Sequence, residues 1–382
     1  MKKTLFILFL TLPVLAQKMP VQTGAEQTKL YVNGLKGKRV GMVVNQTSMI
    51  RQTHVVDSLL ALGITIKTIF APEHGFRGTA SAGEKISNGR DPKSGVSIVS
   101  LYGKNYKPAP AQLDSLDVIL FDIQDVGARF YTYISTLHYV MEACAEARKP
   151  LVVLDRPNPN GHYVDGPVLD PAFKSFVGMH PIPVVHGLTV GELARMINGE
   201  KWLAGGIQCT LTVVPVAHYT HAMPYTLPIA PSPNLPNRQA VLLYPSLCFF
   251  EGTNVSLGRG TDTQFQVIGS PTYPDGPYTF TPTDKPGAMN PPNKGKLCYG
   301  YDLTKINAQR LGFSLNYLLD FYQKTPDKEA FFLKNNFIDK LVGTDQLRKQ
   351  IIAGVPEKTI RQSWEPALSR YKLLRKTYLL YP

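Results

Sequence analysis

The sequence contains few cysteines and lacks the motifs of several common enzyme classes. Its 382 residues include only four cysteines, at positions 144, 209, 248 and 298, and no two of them form a CxxC pair. This spacing excludes a zinc knot and a dense disulfide scaffold, while one disulfide of undeducible pairing stays open. The dinucleotide-binding GxGxxG, the P-loop, the GxSxG of serine hydrolases and the HExxH of zinc proteases are also absent. We therefore expect neither a metal nor a cofactor.

Long hydrophobic runs are missing after the first 16 residues. Lys2 and Lys3 precede an apolar stretch at residues 4–16 that ends in small residues, a pattern typical of a secretory signal peptide. No later segment reaches the roughly 18 apolar residues that a membrane-spanning helix needs. We predict a signal peptide at 1–16, no stable membrane insertion, and a secreted protein that resides in the periplasm.

Runs of like charge are also missing, although the chain is basic. Lys and Arg number 41 against 28 Asp and Glu, which gives a formal net charge of +13. The surplus favours an anionic partner, and an anionic polymer or a sugar acid fits it as well as nucleic acid does. Because the positive charges are scattered and no aromatic RNA-binding motif accompanies them, we expect no nucleic acid partner.

Apolar runs of strand length alternate with amphipathic helical stretches in the first half of the chain. This rhythm predicts an α/β fold with a mostly parallel, Rossmann-like sheet covered by helices on both faces. Ligands of such sheets bind where the strands end, so functional residues are expected directly after strands. The predicted strands are 40–44, 65–70, 97–101, 118–123, 151–154 and 211–216, and the predicted helices are 54–62, 130–147 and 190–198.

Prolines crowd the chain from about residue 158 to 293 and indicate loops and a change of domain. We predict a Rossmann-like domain at 22–229 and a smaller α/β domain at 230–382. The second domain is expected to contain strands at 264–268 and 299–303 and helices at 314–322, 328–341, 346–353 and 360–374.

The segment APEHGFRG begins at the end of the second predicted strand. Pro72 fixes one backbone angle and Gly75 permits a tight turn, so Glu73 would be held in place rather than moving freely in solvent. A fixed glutamate at a crevice is a candidate for acid–base catalysis, and a solvated loop glutamate is the alternative. His74 is expected to orient its neighbours by hydrogen bonds, because no metal-ligand spacing accompanies it.

A second polar segment, FDIQDVGARFYTY, follows the predicted strand 118–123. Asp122 and Asp125 are carboxylates at a strand-to-helix turn, and capping of the helix explains Asp125 as well as catalysis does. Arg129 opposes the dipole of a helix N-terminus, so it requires an acidic neighbour or an anionic ligand.

Three more polar segments lie later in the chain: LDRPNPNG, PSPNLPN and FEGTNVSLGRGT. Asp155 and Asn158 belong to LDRPNPNG, at the end of a third predicted strand, where a turn-stabilising and a ligand-binding role look alike. The coincidence of three rigid, carboxylate-bearing segments at three strand ends favours an enzyme cleft. The segments PSPNLPN and FEGTNVSLGRGT would line the opposite wall. The aromatic residues Phe249, Phe250 and Tyr102 are of a type more often found in a core than in a sugar platform, so they are given no functional role.

Taken together and in this order, these five long motifs closely resemble the exo-β-N-acetylmuramidases of the NamZ family. The similarity extends over essentially the whole mature chain. It implies that the Rossmann-like domain is catalytic, that the cleft lies between the two domains, and that N-acetylmuramic acid is released from the non-reducing ends of peptidoglycan fragments.

The resemblance also implies roles for individual residues. The family's proposed catalytic glutamate falls on Glu73, and Asp122 or Asp125 would supply a second catalytic group unless the 2-acetamido group of the substrate acts as the nucleophile. The lactyl carboxylate of muramic acid calls for a guanidinium, for which Arg129, Arg77 and Arg259 are candidates in that order. The substrate-binding set is completed by His74, Asp155, Asn158, Asn234, Glu251 and Asn254.

Two other functions remain open from the sequence. The first is a non-catalytic module that captures muropeptides or sugar acids between two domains. The second is a metal-dependent hydrolase, whose activity a chelator would abolish.

Overall fold

The computed structural model describes residues 19–76, 88–103, 105–274 and 276–382. The predicted signal peptide and Arg77 lie outside these residues. Strands occur at β1 Arg39–Val44, β2 Met49–Ile50, β3 Thr53–His54, β4 Thr65–Ala71, β5 Gly89–Arg90, β6 Ser97–Ser100, β7 Val118–Asp122, β8 Leu151–Leu154, β9 Asp165–Val168, β10 Pro183–Val185, β11 Leu211–Val214, β12 Val267–Ser270, β13 Tyr278–Phe280 and β14 Cys298–Asp302. Helices occur at α1 Val55–Ala61, α2 Pro110–Leu113, α3 Tyr133–Glu146, α4 Val190–Gly199, α5 Arg238–Leu247, α6 Ala308–Leu311, α7 Asn316–Lys324, α8 Phe337–Val342, α9 Gln346–Ile352 and α10 Glu357–Arg375.

A seven-stranded sheet in the order β11-β8-β7-β1-β4-β6-β5 forms the centre of the protein. Neighbouring strands pair in parallel except for β5, which lies antiparallel to β6 at one edge. If the six parallel strands are numbered along the chain, their spatial order is 3-2-1-4-5-6, the order of the Rossmann fold. The predicted mostly parallel, Rossmann-like sheet is thus confirmed. The strand order reverses between β1 and β7.

Burial on both faces explains the composition of the central strands. All five residues of β7 are buried, which is why the strand is a continuous apolar run that ends in a single aspartate. The following helix, α3, also buries most of its side chains. At α4, a capping box stabilises the helix start: Thr189 Oγ1 accepts from the amide of Glu192, and Glu192 Oε2 accepts from the amide of Thr189 at 2.9 Å.

The C-terminal part of the chain contains a smaller sheet and most of the later helices. Its antiparallel strands are ordered β12-β14-β13. One buried cluster contains Ile134 of α3, Leu243 of α5 and Phe321 of α7, so the core is continuous between the two parts. Arg361 of α10 reinforces this packing by donating to the Asp165 carboxylate of β9 at 3.0 and 2.9 Å. The α/β fold class with a smaller C-terminal part is therefore confirmed, while the domain bounds of 22–229 and 230–382 stay predictions.

Two helices differ from the sequence-based expectation. The helix predicted at 328–341 was wrong for residues 328–336, because only Phe337–Val342 is helical and Asn336 before it adopts a left-handed conformation, φ 50°. Conversely, α5 was not predicted. It contains Pro245 and follows a proline-rich loop, two features that normally indicate irregular structure.

Two further expectations concern cysteines and membrane spans. All four cysteines are buried and unpaired in this structure. Among the described residues, every helix is too short or too polar to cross a bilayer.

Candidate active site

A cavity of about 250 Å³ lies at the carboxyl edge of the central sheet, where the loops after β4 and β7 face the C-terminal part of the chain. We call it the edge pocket. It is smaller than the roughly 300–1,000 Å³ typical of pockets for drug-sized ligands. Its polar lining residues are Glu73, His74, Thr132, Ser232, Asn234, Glu251 and Arg259. Five of the residues predicted from the sequence therefore meet in one concavity.

Glu73 follows β4 directly and is held at the pocket by its loop and by a neighbouring helix. The amide of Gly75 donates to the Pro72 carbonyl at 3.0 Å, and His74 adopts a left-handed conformation with φ 68°, so the chain turns sharply here. Thr132 Oγ1, at the start of α3, donates to Glu73 Oε2 at 3.0 Å. The carboxyl group is thus positioned by the loop after β4 and by the start of α3.

The opposite wall carries a second carboxylate and a guanidinium. Glu251 and Arg259 form an ion pair in which Arg259 Nη2 donates to Glu251 Oε1. Burial opposes the charge on Arg259, but the adjacent Glu251 carboxylate raises its pKa above the ordinary value. The guanidinium carbon also lies 5.0 Å from the centroid of the Phe265 ring. Arg259 is therefore a fixed positive charge in the pocket wall.

Asn234 also belongs to this wall. Its side-chain amide donates to the Gly287 carbonyl at 2.8 Å, which fixes the orientation of the amide. The buried Oδ1 has no hydrogen-bond partner among the described residues. Asn234 thus leaves an unused acceptor beside the pocket.

Aromatic side chains close the floor of the pocket. Tyr131 and Tyr133 are both buried, with ring centroids 5.0 Å apart and nearly perpendicular planes. Burial raises the pKa of both phenols, so both rings are neutral at physiological pH. The other aromatic lining residues are Tyr102, Phe130, Phe176, Tyr244, Phe265 and Phe337.

Asp122 does not line this pocket. It is fully buried, and its two oxygens accept from Arg156 Nε at 2.6 Å and Arg156 Nη2 at 2.9 Å. Arg156 also donates to the Met49 carbonyl at 3.1 Å. The sequence-based pairing of Glu73 with Asp122 as a second catalytic group is therefore corrected: Asp122 neutralises a buried arginine.

Asp125 is also outside the pocket lining. Its Oδ2 accepts from the amide of Gly127 at 2.7 Å, and His186 Nε2 lies 3.6 Å from the same oxygen. Capping of α3 does not explain it either, because the residue before that helix is Thr132. Asp125 instead stabilises the turn after β7.

Arg129 has a different role from the predicted one. It is fully buried, precedes α3, and donates to four backbone carbonyls, those of Pro167, Ile182, Leu341 and Val342. Burial lowers its pKa to about 9. The expected acidic neighbour or anionic ligand is thus replaced by carbonyl dipoles, and we correct the assignment of Arg129 to substrate binding.

Asp155 and Asn158 are likewise part of the buried framework. The Asp155 carboxylate accepts from the hydroxyls of Thr189 and Tyr381, each at 2.6 Å, and burial raises its pKa to about 6. Asn158 donates to the Leu188 carbonyl at 2.8 Å. Both residues tie loops together and neither lines the edge pocket.

Asn254 lines an adjoining cavity of about 470 Å³. Glu251 and Arg259 border both cavities, so the ion pair separates them. The role of Asn254, like the roles of the edge-pocket residues, stays a prediction, and Arg77 lies outside the described residues.

Sequence reasoning missed most of the aromatic lining and Thr132. Phe249 and Phe250 are fully buried, as expected for core residues, whereas Tyr102 lines the pocket. The signal that could have identified Thr132 and the rings of Phe130, Tyr131 and Tyr133 is the run FYTY, which lies between the end of β7 and the first turn of α3.

Family models for the exo-β-N-acetylmuramidase NamZ match both parts of the chain, the N-terminal model over residues 40–239 and the C-terminal model over residues 242–381. The chain belongs to the NamZ family. It is also 40% identical over 400 aligned residues to the peptidoglycan β-N-acetylmuramidase NamZ of Bacillus subtilis (strain 168), with 96% of this chain and 92% of that protein covered. The resemblance drawn from the five motifs is confirmed.

Two crystal structures of DUF1343 family proteins from Bacteroides fragilis have the same fold. The first has a TM-score of 0.88 and 48% sequence identity, and the second has a TM-score of 0.82 and 29% identity. Each alignment covers 95% of this chain and 99% of the other. In this NamZ-family chain, the edge pocket is built from residues of both matched regions: Glu73 and Thr132 from the first, Glu251 and Arg259 from the second.

Proposed function

We propose that this protein is an exo-acting glycoside hydrolase that releases N-acetylmuramic acid from the non-reducing ends of peptidoglycan fragments. The observation that carries the proposal is the position of Glu73, a half-buried carboxyl group fixed at the edge pocket. The pocket's small volume suits one sugar residue rather than a length of glycan, which agrees with exo action. The NamZ family membership supports the same conclusion, and so does the B. subtilis relative, which is a peptidoglycan β-N-acetylmuramidase.

Glu73 acts as the general acid in this proposal. Its carboxyl proton passes to the glycosidic oxygen as the bond from that oxygen to the anomeric carbon breaks, and the remaining glycan leaves with a free hydroxyl group. The resulting oxocarbenium-like centre is captured by a water molecule, either directly or after the acetamido oxygen of the same sugar has bonded to it, and the proton that the water loses restores the acid form of Glu73. General acid catalysis of this kind contributes about 10²- to 10⁴-fold to the rate.

Recognition of muramic acid falls to Arg259. Its guanidinium can donate two parallel hydrogen bonds to the lactyl carboxylate, a geometry that lysine cannot reproduce. Glu251 shares this guanidinium and keeps it oriented in the absence of substrate. Because Arg129 is bound to backbone carbonyls, Arg259 becomes the first candidate among the described arginines.

Secretion to the periplasm is part of the proposal. The sequence pattern of residues 1–16 supports it, and the peptidoglycan substrate lies outside the cytoplasm. Fractionation of cells that express the full chain tests it: we expect a periplasmic protein shortened by about 16 residues, as a leader of this kind predicts.

The enzymatic proposal is tested with the disaccharide in which N-acetylmuramic acid is β-linked to N-acetylglucosamine. We expect the wild-type protein to release both sugars, and the Glu73→Gln variant to lose at least about 10²-fold in kcat while it retains binding. Glu365→Gln, on the exposed face of α10, is the matched control. A wild-type protein that binds the disaccharide and never cleaves it would instead indicate a sugar-binding module.

A further inference from the structure

Four aromatic side chains form a continuous patch that begins in the edge pocket. The Tyr106 ring lies 4.1 Å from the ring of Phe176, 6.0 Å from that of Tyr102 and 6.3 Å from that of Tyr139, between centroids. The Phe176 ring lies 6.4 Å from Tyr102 and 6.5 Å from Tyr139. We call these four residues the aromatic strip.

The aromatic strip is continuous with the edge pocket. Tyr102 and Phe176 belong to the pocket lining, whereas Tyr106 and Tyr139 lie beyond it. Tyr139 is held on α3, the helix whose start positions Glu73, and Tyr102 and Tyr106 belong to the loop after β6. The strip therefore extends from the site of the proposed bond cleavage along the protein surface.

Packing in the core does not account for this arrangement. All four rings are partly exposed, and none belongs to a buried hydrophobic cluster of the described residues. At the rim, Lys107 pairs with Glu142 and Glu146, each at 2.7 Å. Partly exposed rings that lie together outside the core, and that continue from the lining of a pocket, are placed to contact a molecule bound at that pocket.

We propose that the aromatic strip binds the sugars on the reducing side of the scissile bond. The inference rests on the proposed function, because an exo-acting enzyme encloses the terminal sugar and the rest of the glycan must leave through the pocket mouth. The first sugar there is N-acetylglucosamine, which is uncharged and presents a face of C–H groups. Such a face packs on aromatic rings, and tyrosine hydroxyls can also bond to sugar hydroxyls.

This assignment makes the protein selective for glycan chains over simple glycosides of N-acetylmuramic acid. Each sugar that contacts the strip adds binding energy outside the catalytic pocket, and part of that energy is available to hold the scissile bond against Glu73. Catalytic efficiency should therefore rise with the number of sugars in the leaving group.

The test compares three substrates that share the same terminal sugar: the methyl β-glycoside of N-acetylmuramic acid, the disaccharide with N-acetylglucosamine, and the tetrasaccharide of two such disaccharides. Tyr106→Leu and Tyr139→Leu remove a ring while they retain apolar volume, which limits effects on folding. For each variant we expect kcat/KM to fall about tenfold on the tetrasaccharide, mainly through KM, and to fall much less on the methyl glycoside.

Tyr278→Leu is the matched control, because Tyr278 is a partly exposed tyrosine on β13 in the small sheet. Equal losses on all three substrates, or no loss on any, would overturn the inference while the proposed function stands. A wild-type protein that releases nothing from any of the three would overturn both.

Discussion

The hydroxyl of Thr132 donates a 3.0 Å hydrogen bond to Oε2 of Glu73. Thr132 lies at the start of α3, after β7, and Glu73 lies in the loop after β4, so the bond joins two loops at the carboxyl edge of the sheet. It holds one oxygen of the carboxyl group and thereby sets the direction in which the other can act. Thr132 is a positioning residue in this account, and Glu73 is the group that contacts the substrate.

Removal of the Thr132 hydroxyl should therefore lower the rate without abolishing binding. In Thr132→Val the side chain keeps its shape but loses the donor, and we expect kcat to fall about 10- to 100-fold, because the hydroxyl stabilises the negative charge that Glu73 acquires as its proton leaves. KM should change little. Thr132→Ser, which keeps the hydroxyl, should restore most of kcat. Equal activity of the Val and Ser variants would contradict the positioning role.

If Arg259 binds the lactyl carboxylate, its replacement should affect substrates that carry this group more than substrates that lack it. In Arg259→Gln we expect kcat/KM on a chromogenic glycoside of N-acetylmuramic acid to fall about 10- to 100-fold, because a charge-assisted contact to the lactyl carboxylate is lost. The corresponding glycoside of N-acetylglucosamine has no lactyl group and serves as the internal control for changes that reach Glu251. A parallel loss on both glycosides would assign Arg259 to pocket structure rather than to recognition.

Replacement of Arg129 should lower the stability of the protein, because this residue holds backbone segments together and does not line the edge pocket. Arg129→Met removes the guanidinium that donates to four backbone carbonyls, of which that of Ile182 keeps the Leu169 amide as a donor. We expect the free energy of unfolding to fall by about 3 kcal/mol. Urea denaturation followed by circular dichroism measures it. Arg370→Met on the exposed face of α10 is the control and should stay within about 0.5 kcal/mol of wild type. Lost activity with wild-type stability would return Arg129 to the binding site.

The stability of the folded protein should decrease in acid, because two histidines are buried next to each other. His138 Nδ1 and His180 Nε2 lie 3.0 Å apart, and burial lowers the pKa of His138 to about 4 and that of His180 well below its ordinary value. Between about pH 6.5 and pH 4 the unfolded chain binds protons at these positions and the folded protein does not. Stability should therefore decrease as the pH falls through this range, by about 3 kcal/mol from His138 alone.

Urea denaturation at pH 7 and at pH 4.5 measures this effect. The double variant with His138→Gln and His180→Gln has no titrating group at either position, so its stability should depend less on pH than that of the wild type. Glu142 Oε2 lies 3.7 Å from His138 Nε2 and remains in both proteins. An unchanged pH dependence in the double variant would show that other groups dominate acid unfolding.

The sequence predicted the features that depend on local patterns. The apolar run of β7 is visible because the strand is buried on both faces, and Glu73 is identifiable because Pro72 and Gly75 surround it directly after a strand. The gathering of strand ends at one edge follows from the chirality of parallel connections. These local rules were sufficient to predict the sheet and the position of Glu73 at its edge. The segments PSPNLPN and FEGTNVSLGRGT were also expected at the opposite wall, and Asn234, Glu251 and Arg259 of these segments line the edge pocket.

The roles of the buried charges could not be predicted in this way. Arg129 finds its carbonyl acceptors at Leu341 and Val342, more than 200 positions along the chain, and Asp122 finds its partner at Arg156 on the adjacent strand end. A carboxylate or guanidinium at a strand end has the same appearance in sequence whether it binds a ligand or another buried charge. Only the three-dimensional contacts distinguish the two.

The central claim is that Glu73 protonates the glycosidic oxygen of a muramic acid residue enclosed in the edge pocket. A crystal structure of the Glu73→Gln variant with the uncleaved disaccharide of N-acetylmuramic acid and N-acetylglucosamine tests it most directly. We expect the muramic acid ring inside the pocket, its glycosidic oxygen within about 3.2 Å of the substituted side chain, and its lactyl group against Arg259. A disaccharide bound with its glycosidic oxygen far from position 73, or bound outside the pocket, would contradict the account.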